Sequence, residues 1–203
     1  QTSTWTPAVD AAGAYAYTGG RLTVHDLLTG AVLNEINDPS FQNYVYEIGG
    51  SPVLGAAGSV FVANYQNSAL NGGAIGNMLL NFRTATNSIA WQEPGAYPTT
   101  PGYQSEVVYA VNNIPFRLEA RAESDGTLLW WWTPPHPGDG QFISEVLLTE
   151  NLAFVSTNRA TYAIDLETHR PVFSYPVFGK LALSANGVLY IQNATDLIAI
   201  NLK

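Results

Sequence analysis

Two distant ten-residue stretches of this chain follow one pattern, and that repetition constrains the fold more than any other feature. Arg21-Leu22-Thr23-Val24-His25-Asp26-Leu27-Leu28-Thr29-Gly30 matches Ala160-Thr161-Tyr162-Ala163-Ile164-Asp165-Leu166-Glu167-Thr168-His169. In both, an alternating run enters Asp-Leu-x-Thr, then a turn residue, then a second apolar run. The unit recurs more loosely from Met78 to Trp91, where Arg83 replaces the Asp and Asn87 the turn glycine. It recurs again from Pro115 to Trp130, with Ser124-Asp125-Gly126 at the turn, and a last copy runs from Asp196 to Lys203. Taking Gly30, Asn87, Gly126 and His169 as equivalent gives spacings of 57, 39 and 43 residues. A unit repeated at such a period buries its apolar faces against its neighbours.

The unit is made of strands. No stretch keeps an i, i+3, i+4, i+7 apolar pattern over a dozen residues, whereas period-2 runs recur between Gly, Asn, Asp and Pro. Ala14–Tyr17, Ser59–Val62, Glu106–Tyr109, Leu152–Val155 and Val188–Ile191 alternate most clearly. A period near 40–45 with four strands per unit predicts an all-β chain forming a β-propeller of about five four-stranded blades. The repeats fall at about 6–36, 52–92, 98–132, 143–175 and 180–203, within one domain over 1–203. The long first spacing is read as a hairpin insertion, Tyr65 to Gly76. Inner strands are expected at Thr6–Val9, Ser51–Leu54, Ile143–Leu148 and Lys180–Leu183. The fourth strands end in aromatics (Trp91, Trp130–Trp132, Phe173 and Tyr175), placed to fill the wedge that widens away from the axis.

These units resemble the quinoprotein-type (PQQ-like) β-propeller repeat. Its pattern, S-P-V-V…V-Y-V-G…L-Y-A-L-D…T-G-x-x-x-W, is followed by Thr6-Pro7-Ala8-Val9…Ala14-Tyr15-Ala16-Tyr17…Leu22-Thr23-Val24-His25-Asp26…Thr29-Gly30 and by Phe154-Val155-Ser156…Tyr162-Ala163-Ile164-Asp165-Leu166…Thr168. The resemblance implies the fold. It does not imply the family's enzymatic PQQ/Ca site, which uses a vicinal cysteine pair, calcium ligands and a catalytic aspartate over a Trp floor. This chain has no cysteine and no Asp-x-Asp cluster, so no cofactor is expected. The fifth unit has no fourth strand after it, and Thr2–Trp5 abuts the first inner strand without a linker. Two readings stay open: a closed five-bladed ring, or an incomplete part of a larger propeller whose exposed edge pairs with upstream residues or another chain.

Acids outnumber bases 16 to 8, for a net charge of −8. The bases are scattered, which disfavours nucleic acid and anionic membranes. The longest apolar run, Leu128 to Trp132, is far too short to span a bilayer. Absence of cysteine, little lysine and a first residue other than Met fit an exported protein, extracellular or periplasmic, freed of a leader or cut from a longer polypeptide.

Catalytic spacings are missing. The three histidines are His25, His136 and His169, with no H-x-H, H-E-x-x-H or G-x-S-x-G pattern, so no metal site is expected. Asp10, Glu106 and Glu145 are inner-strand carboxylates that, if channel-facing, could serve a glycosidase, which needs two carboxyl groups ~5–10 Å apart. Asp26 and Asp165 instead predict turn hydrogen bonds. The most unusual segment is Leu129-Trp130-Trp131-Trp132-Thr133-Pro134-Pro135. On a strand Trp130 and Trp132 share one face and Trp131 takes the other. The cluster is read either as a stacking platform for a protein or glycan partner, with His136 in the stiff loop beside it, or as wholly packed, one indole lying under the proline loop. Asn193-Ala194-Thr195 fits a glycosylation acceptor and also plain turn chemistry. Loops 65–76 and 93–105 are candidate binding rims. The leading expectation is a non-catalytic interaction module; the alternative is a glycan-active enzyme using Asp10, Glu106 and Glu145.

Overall fold

The computed structural model describes residues 6–18, 20–40, 47–49, 51–56, 58–68, 73–74 and 77–202. The segment Thr2–Trp5 and parts of the 65–76 insertion lie outside them.

Five antiparallel sheets follow one another along the chain. The first is β1 (Ala8–Val9), β2 (Ala14–Thr18), β3 (Arg21–His25) and β4 (Val32–Asn37), paired in that order. The second holds β5 (Glu47–Gly49), β6 (Val53–Leu54), β7 (Ser59–Ser68), β8 (Gly73–Ala74), β9 (Asn77–Arg83) and β10 (Ser88–Gly95). Its blade is β6-β7-β9-β10, while β5 and β8 pair with the far end of β7, which makes the insertion a strand extension. The third is β11 (Gly102–Gln104), β12 (Val107–Asn113), β13 (Phe116–Ala122) and β14 (Leu128–Trp132). The fourth is β15 (Leu147–Leu148), β16 (Leu152–Ser156), β17 (Thr161–Asp165) and β18 (Pro171–Tyr175), and the fifth β19 (Lys180–Leu183), β20 (Val188–Gln192) and β21 (Leu197–Asn201).

Each sheet buries a face by packing on the next. Tyr15, Tyr17, Leu22 and Val24 meet Val60, Val62, Leu80 and Phe82 between the first and second sheets. Phe61, Leu79 and Trp91 meet Val108 and Ala110 between the second and third. Tyr109, Val111, Leu118 and Trp132 meet Ala153, Val155 and Tyr162 next, and Phe154 and Ala163 meet Leu181, Leu189 and Ile191 last. Among the described residues no buried cluster joins the fifth sheet to the first. This radial succession is the propeller arrangement the repeat predicts.

The hairpin turns explain the motif. Gly30, Asn87, Gly126 and His169 all have positive φ (71°, 56°, 77° and 58°), and each hairpin carries a register shift at the end of its third strand. That single left-handed residue ends the turn and restarts the ladder. Asp26 Oδ1 accepts from the Leu28 and Thr29 amides and the Thr29 hydroxyl, and Asp165 Oδ1 repeats this with Glu167 and Thr168. These bonds hold both carboxyls below the usual carboxylate range.

Connections between sheets are tethered at one recurrent position, three residues after the second-strand aromatics Phe61, Tyr109 and Phe154. Asn64 donates to Asp38 after β4 (2.6 Å), Asn112 accepts from the Ala96 amide after β10 (2.9 Å), and Thr157 donates to Asp139 after β14 (2.5 Å). Asp38 also receives the buried Tyr17 hydroxyl, whose pKa rises steeply, chiefly through burial and then the adjacent carboxylate.

Candidate functional site

Alternation along β14 sorts the three indoles. Trp132 is buried against Tyr162 in the core between the third and fourth sheets, ring centroids 5.2 Å apart. Trp130 turns the same way at the rim and stacks on His169, at 4.4 Å and 19° between planes. Trp131 faces the opposite side and stays 58% exposed. The fully packed reading therefore fails for Trp131, which alternation turns away from the core that Trp132 fills and leaves more than half in solvent.

What lies behind Trp131 was not legible in the sequence. The Arg117 guanidinium sits 5.6 Å from the Trp131 ring centroid, a cation–π contact. Arg117 Nε donates to Glu119 Oε1 at 2.7 Å, and Glu119 is directly across the ladder from Trp131. Glu119 is fully buried. It also accepts from Arg121 Nε (2.8 Å), the Tyr97 hydroxyl (3.0 Å) and Asn112 Nδ2 (3.2 Å). Burial alone would raise its carboxyl, but the hydrogen bonds from Arg117 and Arg121 and the Arg121 charge hold it below the usual range. Arg121 in turn donates to the Gly126 carbonyl and to Glu93. The residues alternate along β13 (Arg117, Glu119, Arg121), so all face the second sheet. An exposed indole is thus held by an arginine that a buried carboxylate fixes from behind.

His136 stands elsewhere. Its Nδ1 accepts from the Gly138 amide (3.0 Å), and it lines a shallow depression of about 380 Å³ with Pro135, Pro137, Tyr162 and Tyr175. The loop is anchored by Asp139, which accepts from Thr157 and from the Tyr162 hydroxyl at 2.7 Å. His136 faces Tyr162 and Tyr175 of the fourth sheet, and among the described residues no hydrogen bond or ring contact joins it to Trp131.

The three carboxylates of the glycosidase alternative lie outside the strands, each in its own local setting: Asp10 just after β1, Glu106 in a turn, and Glu145 before β15, since the inner strand expected over Ile143–Leu148 is confined to Leu147–Leu148. Asp10 accepts from the amides of Ala12 and Gly13 and from the Tyr15 hydroxyl. Glu145 is paired with Lys180 at 3.0 Å. Glu106 was expected on a strand; with Ser105 it forms the two-residue turn between β11 and β12, at φ 63° and 51°. Among the described residues no hydrogen bond or ion pair joins any two of them. Loop 93–105 is likewise no free rim, because β10 reaches Gly95, Tyr97 is buried and β11 starts at Gly102. Asn193 Oδ1 accepts from the amides of Thr195 and Asp196, the turn chemistry expected of that tripeptide.

Among solved structures, the chain superposes on the WD40 domain of Neurospora crassa Pan2 with a TM-score of 0.70 at 10% identity, over 97% of this chain and 61% of that one. It superposes on a europium-containing methanol dehydrogenase with a TM-score of 0.65 at 12% identity, over 90% of this chain and 42% of that one. The chain therefore spans less than two thirds of either, and at such identity the likeness is one of fold: an all-β propeller repeat. No family model and no curated protein matches it.

Proposed function

We propose that this chain is a non-catalytic interaction module of an exported, cell-surface or periplasmic protein. Its repeat is of the quinoprotein type without that family's cofactor site, and it offers the Trp131–Arg117 rim to a protein or glycan partner. One observation carries the reading: a large indole left in solvent, yet fixed in place from below. An exposed tryptophan held rigid loses little freedom on binding, which is how aromatic anchors dominate interfaces and stack on sugar rings. Arg117 beside it adds a donor edge for carboxylate or hydroxyl groups. The propeller likeness supports an interaction or scaffold role in the same direction, as fold-level analogy.

The test is a glycan array, with a panel of candidate surface proteins beside it, probed with the wild-type chain and with Trp131→Ala. Binding that falls at least about tenfold in the variant, the scale of a tryptophan anchor, supports the reading. Binding that the variant leaves unchanged overturns it.

A further inference from the structure

The outer edge of the third sheet differs from those of its neighbours. In each of the first four sheets the fourth strand ends the sheet, and no strand pairs beyond it among the described residues. Every second residue of such a strand turns its N–H and C=O away from the ladder, an open template that folded chains guard with charges or proline. β4 carries Glu35, β10 carries Glu93 and Pro94, and β18 opens on Pro171. β14 reads Leu128-Leu129-Trp130-Trp131-Trp132, with no charge, proline or glycine. The register shift that all four hairpins share falls at its first residues, so Trp130 to Trp132 stay in regular pairing.

The side chains along this edge suit an added strand. Leu129 and Trp131 are both more than half in solvent. Arg117 spends its Nε on Glu119, and among the described residues neither terminal nitrogen of its guanidinium has an acceptor. Its side chain already crosses from β13 to the Trp131 ring. A further strand would lie ~4.8 Å beyond β14. A carboxylate on that strand, on the face of Trp131, comes within reach of the two free nitrogens, and apolar residues at alternate positions cover Leu129 and Trp131.

We infer that the outer edge of β14 takes an extended segment of a partner protein as a further strand, with alternate apolar side chains over Leu129 and Trp131 and one carboxylate side chain on Arg117. The inference rests on the interaction reading of the Trp131–Arg117 rim and commits it to main-chain pairing, in which the backbone gives affinity and alternate side chains give selectivity.

The experiment pans a phage-displayed library of random peptides of about ten residues, the upper length of an ordinary strand, on the 203-residue chain. Enriched peptides are synthesised and titrated into wild type and variants. They should alternate apolar residues and carry an Asp or Glu; changing that acid to its amide should weaken binding to the wild type about tenfold and binding to Arg117→Gln little. Amide exchange followed by NMR should show new protection at alternate residues of β14 in the complex. Leu129→Lys, which sets a charge on the edge, should weaken binding at least about tenfold. A thermal melt checks that this variant folds, and Trp131→Lys replaces it if it does not. Val172→Lys on β18 should change nothing. Peptides that lose affinity for Trp131→Ala yet leave the β14 amides unprotected would overturn strand addition while the interaction reading stands. A library yielding no peptide enriched over a blank surface would overturn it too, and the glycan array and protein panel then judge the interaction reading separately.

Discussion

Replacing Glu119 by glutamine keeps the shape of the side chain and removes its charge. Glu119 is fully buried and accepts four hydrogen bonds, two from arginines. The variant leaves Arg121, itself buried, with Glu93 as its one carboxylate partner, and Glu93 is partly in solvent. Breaking a buried pair from one side costs about 3–5 kcal/mol, because the remaining charge stays desolvated. For a domain of this size each kcal/mol lowers the melting temperature by about 2–4 °C, so a fall of roughly 6–20 °C is expected. Differential scanning calorimetry and urea titration at neutral pH read it directly. Arg117→Ala provides the contrast: its guanidinium is more exposed, so it should cost about 1–2 kcal/mol. A Glu119→Gln loss below about 1 kcal/mol, or one no larger than that of Arg117→Ala, would refute a buried charge cluster clamping the second sheet to the third.

The same carboxyl gives a pH signature. Its pKa is depressed in the folded chain, so its stabilisation is complete above the unfolded carboxylate value of about 4.3 and is lost as pH falls through the folded one; urea titrations should show the gap between wild type and Glu119→Gln narrowing below about pH 4. Trp132→Ala should cost about 3–5 kcal/mol and Trp131→Ala under about 1 kcal/mol in the same titrations, since one indole fills a core and the other lies in solvent. Gly30→Ala should cost about 1–2 kcal/mol for its left-handed φ alone. Gly126→Ala should cost more by calorimetry, because a Cβ there comes within 2.8 Å of the Trp91 ring while Gly30 has open space. Ser105→Asn with Glu106→Gly should raise stability by roughly 1 kcal/mol, by relieving two positive-φ residues; retained binding to any partner in that variant would remove Glu106 from the functional residues.

The sequence displayed the fold wherever the repeat used residues with one physical meaning. Asp26 and Asp165 capping their turns, the left-handed equivalence of Gly30, Asn87, Gly126 and His169, and the alternating second strands could all be read from pattern. The inner strand Gly102–Gln104 could not, since Gly-Tyr-Gln has no apolar alternation and its pairing comes from β12. The Ser105–Glu106 turn was hidden because neither residue favours positive φ, so Glu106 looked like strand. The rim site was half legible. Period 2 places Trp131 apart from Trp130 and Trp132, but only the pairing of β13 with β14 sets Glu119 opposite Trp131 and brings Arg117 onto the indole. Alternating charges at Arg117, Glu119 and Arg121 were the available signal, and on their own they read as a solvated strand face.

The radial succession of sheets is tested most directly by an experimental density map of this chain, from crystals or by electron microscopy. The expected map shows Tyr15, Phe61, Tyr109 and Phe154 each buried under the following sheet. Two sheets stacked face to face, with these aromatics shared in one common core, would contradict it.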